Sequence, residues 1–135
     1  TTIDDPSAHF QTALYTGSGS DNADLFGKFS GGRFTPTVSG YYQVNASLYM
    51  PDMDDSEVVY MVVRRNGADD TAMICFGNLR GTTTNVDLGM SGAGIIGLDT
   101  NDYISLWAYQ NEGGTNNIAV NQTKLSVTYI GTSDL

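Results

Sequence analysis

Apolar and polar residues alternate along most of this chain with a period of two, the spacing of a half-buried β-strand. The clearest run is 41–50, where Tyr42, Val44, Ala46, Leu48 and Met50 fall on one side. Tyr41, Gln43, Asn45, Ser47 and Tyr49 fall on the other. An earlier run, 8–16, sets Phe10, Thr12 and Leu14 against Gln11, Ala13 and Tyr15. "VVYMVVRR" at 58–65 is apolar on both faces and stops at Asn66-Gly67. Asn-Gly is the favoured pair of a type I′ hairpin because both central residues take positive φ, so the return strand is expected at 71–77. "VDLGMSGAGIIGL" at 86–98 reads as a strand punctuated by glycines, which predict bulges. "YISLWAY" at 103–109 alternates Ile104, Leu106 and Ala108 against Tyr103, Ser105, Trp107 and Tyr109. A last strand, 123–131, puts Leu125, Val127 and Tyr129 on one face.

Between these runs lie polar or glycine-rich segments: "GSGSDNAD", the acidic "PDMDDSE" at 51–57, "LDTND" at 98–102 and "QNEGGTNN". No window repeats apolar residues at i, i+3 and i+4 over three turns. Eight or more short strands at this spacing predict an all-β sandwich or barrel. At 135 residues the chain is one domain, 1–135, with room for a real core. Its opening "TTIDDP" reads as the start of an excised domain or a processed product.

Charge narrows the partners. Fifteen acidic residues against six basic ones give a net charge of -9, which repels nucleic acid and anionic lipid alike. The apolar runs are far too short to span a bilayer as a helix, so no membrane insertion is expected. Cys75 is the single cysteine, which rules out an intrachain disulfide and reads as a small buried apolar residue.

Several pieces of the chain together are similar to the globular head of complement subcomponent q, which shares its fold with tumour necrosis factor. Phe34, five residues, then Gly40-x-Tyr42 match the second half of that family's signature. "VVRRNG" resembles a family strand ending in Asn-Gly, "GLDTNDYISLWA" a family turn entering a strand, and "TKLSVTYIG" the closing strand. Val44 and Ala46 stand where the family has aromatics, Phe26 is one residue out of register, and Asn101-Asp102 replaces glycine-aspartate. The resemblance implies an all-β, two-sheet jelly-roll sandwich of about ten antiparallel strands that assembles as a homotrimer. It further implies that 8–16, 41–50, 86–98 and 123–131 form an inner sheet, one side on the core and the other on the threefold axis.

On that expectation Tyr41, Gln43, Asn45, Tyr49, Ser126 and Thr128 form the trimer interface, tyrosine being suited to fill space while keeping a hydroxyl for hydrogen bonding. Ordinary cross-strand stiffening of a solvated sheet would also use such tyrosines. Tyr103, Trp107 and Tyr109 are the candidate ligand-binding residues, because flat aromatics on an outward face suit sugar rings and protein partners. The alternative is that these rings cover one another or lie under the first loops. Asp52, Asp54 and Asp55 are candidate calcium ligands, hard cations wanting several oxygens on one turn. The same run also serves as a solvated acidic loop that protects strand ends. No other cofactor is expected.

With His9 the only histidine and Cys75 the only cysteine, zinc and triad chemistry are both unsupported, and the expected function is non-catalytic. The N-x-[ST] matches at Asn45 and Asn121 read as accidental, Asn45 lying mid-strand. The reading is a trimeric head at the tip of a longer fibrous protein, attaching to a host-surface receptor or glycan, at a virion surface or elsewhere outside the cell. A structural trimerisation cap without a ligand, and a monomeric carbohydrate-binding module, are the alternatives.

Overall fold

The computed structural model describes residues 2–3, 11–12, 29–30, 33–67, 74–111, 116–118 and 122–132. The strands are β1 (Thr2–Ile3), β2 (Gln11–Thr12), β3 (Phe29–Ser30), β4 (Arg33–Phe34), β5 (Gly40–Met53), β6 (Val58–Arg65), β7 (Ile74–Arg80), β8 (Val86–Leu98), β9 (Ile104–Gln110), β10 (Asn116–Asn117) and β11 (Lys124–Gly131). All pair antiparallel, and no helix occurs among the described residues. A three-stranded sheet runs β11-β5-β8. A six-stranded sheet runs β3-β4-β9-β6-β7, with β2 also on β9, and β1 pairs with β10.

One core lies between the two sheets, built from the periodicity of the strands. β5 contributes Tyr42, Val44, Ala46, Leu48, Met50 and Met53, with Ile96 and Leu98 from β8 and Leu125 from β11. Facing them are Phe34, Val59, Met61, Val63, Ile104, Leu106 and Ala108 of the six-stranded sheet. The two-sided apolarity of β6 is satisfied on both sides, since Val58 and Val62 on its other face are also buried.

The residues behind the family resemblance meet at one end of the core. Tyr42 donates its hydroxyl to the Val38 carbonyl at 2.5 Å and meets Phe34 and Tyr129 edge to face, with ring centroids 5.6 and 5.3 Å away. Gly40 leaves space for Gly131: a Cβ there would strike the Gly131 carbonyl oxygen and sit 2.8 Å from the Tyr129 ring.

Four expectations are corrected. Gln11–Thr12, the described part of 8–16, pairs with Trp107 and Ala108 in the six-stranded sheet and not with the inner strands. β8 pairs with β5 from Leu98 to Leu88 without a bulge, and the register shift falls at Met50/Met53 on the partner strand instead. The strand accordingly continues through Pro51–Met53, which the sequence placed in a loop.

The fourth correction concerns Asn66-Gly67. Both residues do take positive φ, 56° and 70°. However, β6 pairs Val63 with Ile74, whereas a two-residue turn would put Arg65 opposite Ala68. The described return strand, Ile74–Arg80, does pair with β6 and overlaps the expected 71–77. Asn66 instead binds the turn before β9: its N–H donates to the Tyr103 carbonyl at 2.9 Å, its side chain donates to Asp102 at 2.7 Å, and it accepts from the Tyr103 N–H at 2.9 Å.

Candidate functional site: the open face of the three-stranded sheet

The side of the β11-β5-β8 sheet turned away from the core is exposed along most of its length. On β5 it carries Tyr41, Gln43, Asn45, Ser47 and Tyr49; on β11, Lys124, Ser126, Thr128 and, past a bulge, Gly131. On β8 it carries Asp87, Gly89, Ser91, Ala93, Ile95 and Gly97. All six residues expected at an interface thus lie on this one face. Gln43, Asn45, Ser126 and Thr128 are exposed, with Asn45 Nδ2 donating to Ser126 Oγ at 3.3 Å.

Tyr41 and Tyr49 have an intrachain role that the sequence did not reveal. Pairing sets Tyr41 opposite Gly97 and Tyr49 opposite Gly89. Each ring lies over its glycine, so that an added Cβ would sit 3.6 Å from Tyr41 Cε1 and 3.3 Å from Tyr49 Cδ2. Aromatic rings shield the bare backbone of a cross-strand glycine in this way. The periodicity of β5 showed where the tyrosines point, but only the β5–β8 register shows what lies beneath them.

The face is graded along the strands. At the Gly40 end, Tyr41 and Ile95 expose apolar side chains, Ile95 to 64%. Across the middle, Asn45, Ser47, Ser91, Gly92, Ala93 and Ser126 line a shallow depression of about 520 Å³ with Lys124 at its rim, because small side chains leave the sheet backbone recessed. At the far end Tyr49 donates its hydroxyl to Asp87 Oδ2 at 2.6 Å, and the Asp52 N–H donates to Asp87 Oδ1 at 3.3 Å. These two donors hold the Asp87 carboxyl below its ordinary value, and the same bond raises the Tyr49 phenol.

The other candidates are on separate surfaces. Ile104, Leu106 and Ala108 face the core as expected, which turns Tyr103, Trp107 and Tyr109 to the opposite face of β9, where each is half-buried. The Arg33 guanidinium stands 4.3 Å from the Tyr103 ring centre, and that of Arg64 stands 4.7 Å from Trp107. Trp107 donates its indole N–H to Ser105 Oγ at 2.8 Å, and Tyr109 packs on Tyr60 with centroids 5.3 Å apart. Asp52, Asp54 and Asp55 are exposed, and among the described residues no three His, Cys, Asp or Glu side chains gather as a metal-holding group. His9 and Asn121 lie outside the described residues, as does the side chain of Cys75.

No protein-family model matches the sequence, and no curated protein matches it. Solved structures do match in shape. Eiger TNF from S. frugiperda superposes with a TM-score of 0.54 at 14% identity, over 76% of this chain and 66% of the Eiger chain. Murine APRIL superposes with a TM-score of 0.55 at 16% identity, over 75% of each chain. Set beside the two antiparallel sheets and their single core, these superpositions show that the chain folds as a jelly roll of the tumour necrosis factor type.

Proposed function

We propose that this domain is a self-assembling, non-catalytic binding head that works outside the cell, where copies associate through the open face of the β11-β5-β8 sheet into a cyclic trimer and display a target-binding surface outward. The observation that carries this reading is the charge of that face. Among the described residues the acids of this face are confined to its far end, Asp87 with Asp52 beside it, although copies with a net charge of -9 repel one another elsewhere. An exposed, nearly uncharged face with an apolar end is what self-association requires. The threefold order rests on the family resemblance and on the shared fold.

The aromatic row of β9 is the proposed contact for a host-surface receptor or glycan, three copies on one rigid head adding avidity. A purely structural cap that registers the chains of a stalk is the second reading. It is favoured by the Arg64 guanidinium over Trp107 and by the engaged indole N–H, which leave less of that ring free for a ligand.

Sedimentation equilibrium tests the assembly. A mass three times 14.5 kDa is expected, and a species that stays at 14.5 kDa at every concentration refutes it. Binding of intact protein and of Trp107→Ala to host cells or a glycan panel tests the contact. Loss of binding in the variant supports the receptor-binding reading, while equal binding or none removes Trp107 from it.

A further inference from the structure

Lys124 is the one cation among the described outward positions of the three-stranded sheet, and Asp87, with Asp52 beside it, is its acidic end. Lys124 and Asp87 stand on the two outer strands, Lys124 on β11 and Asp87 on β8. Within one chain they do not meet. Lys124 pairs with Ser47, which pairs with Ser91, so Asp87 lies two strands across and four residues further along β8. At the usual strand rise and spacing that is about 16 Å between backbones, well beyond ion-pair reach. No carboxylate partners Lys124 among the described residues, in a chain where acids outnumber bases 15 to 6.

We infer that in the assembly Lys124 of one copy is seated against Asp87 of the next copy, so that this pair sets which edges meet around the ring. The inference rests on the self-assembly proposed above. In a cyclic assembly every contact joins two different patches, and the edge that ends one copy's face approaches the opposite edge of its neighbour's. Here those edges carry opposite charges. Asp87 is held in place by Tyr49 and by the Asp52 backbone, and its two oxygens retain acceptor sites for a third donor. Asp52 itself is exposed beside it and adds to the negative potential. The offset along the strands is covered when they incline to the symmetry axis and the flexible four-carbon lysine stem extends. Complementary charge of this kind fixes register and partner more than it adds affinity.

Charge exchange tests the pairing. Sedimentation equilibrium would compare the wild type, Lys124→Glu, Asp87→Lys and the double variant. Each single reversal should raise the concentration of half-assembly at least about fivefold by placing like charges at three contacts. The double variant, with the charges exchanged, should return to within about twofold of the wild type. Tyr49→Phe, which removes an intrachain bond but no charge, should assemble like the wild type. Asp87→Asn keeps an acceptor for Tyr49; should Asp87→Lys not fold, its weaker assembly carries the same result. Single reversals that assemble like the wild type, or a double variant no better than the worse single one, overturn the pairing while the trimer stands. A monomeric wild type overturns the self-assembly reading and the pairing with it.

Discussion

Replacing Ile95 by asparagine separates assembly from folding. Its side chain is 64% exposed in the single chain and takes no part in the core cluster. Fully burying an isoleucine is worth about 1.5–3 kcal/mol, so covering the exposed two-thirds at an interface contributes about 1–2 kcal/mol per copy. Closed threefold symmetry counts this three times, for about 3–6 kcal/mol per trimer, or roughly two to four orders of magnitude in the assembly constant. The monomer should lose less than about 1 kcal/mol, the span of β-propensity at an exposed strand position. Sedimentation equilibrium over a concentration series reads the first quantity, and urea unfolding at concentrations where the protein is dissociated reads the second. If Ile95→Asn assembles within twofold of the wild type, the apolar end of this face is not an interface. If instead the variant loses several kcal/mol as a monomer, Ile95 stabilises the folded single chain and not an interface.

Met61→Ala, at a fully buried core position, should cost about 2–5 kcal/mol in urea unfolding. Gly40→Ala should destabilise by about 1–3 kcal/mol, because its Cβ collides with the Gly131 carbonyl and the Tyr129 ring, and a thermal melt will show it. Asn66→Ala should cost about 1–3 kcal/mol, losing the bonds to Asp102 and Tyr103 and straining a residue at φ 56°; Asn66→Gly should recover the backbone part only. Asp102 is held below its ordinary value of 3.8 by the Asp99 N–H first, then by the Asn66 amide. A depressed folded value means that its contribution is complete above about pH 4 and disappears as pH falls through the lower folded value. Acid titration of stability should thus be flatter for Asp102→Asn, and an unchanged acid slope would show that this carboxylate plays no such part.

Most strands were legible from period two alone, because one face of each is buried and the pattern records which. β5 shows this most clearly: Tyr42, Val44, Ala46, Leu48 and Met50 are all buried as their alternation required. What the pattern could not supply was register. The glycines of β8 suggested bulges, yet they are the partners over which Tyr41 and Tyr49 lie, a role visible only once Gly97 and Gly89 are placed opposite them. Asn66-Gly67 carried a true backbone signal, two residues in the left-handed region, and the next strand does return against β6, but not through a two-residue turn. The Asn66 side chain found Asp102 and the Tyr103 N–H, 36 and 37 residues away, and tertiary bonds of that range leave no mark on local sequence. The outward aromatics of β9 were placed on the correct face, but the guanidinium of Arg64 over Trp107 depended on strand neighbours, not on spacing along β9.

The order β11-β5-β8 also dictates when the sheet can form. β5 is its middle strand, yet its partners arrive late: Leu98 pairs back to Gly40, and Lys124 pairs back to Ser47. As the chain leaves the ribosome, Gly40–Met53 emerges with neither neighbour, carrying apolar residues on one face and two tyrosines on the other. Closing such long intervals before any contact rewards them is slow, and an unpaired strand is open to the wrong edges meanwhile. Chains that lack Lys124–Gly131 should accordingly fail to fold and should aggregate, whereas the complete domain refolds slowly to its native state.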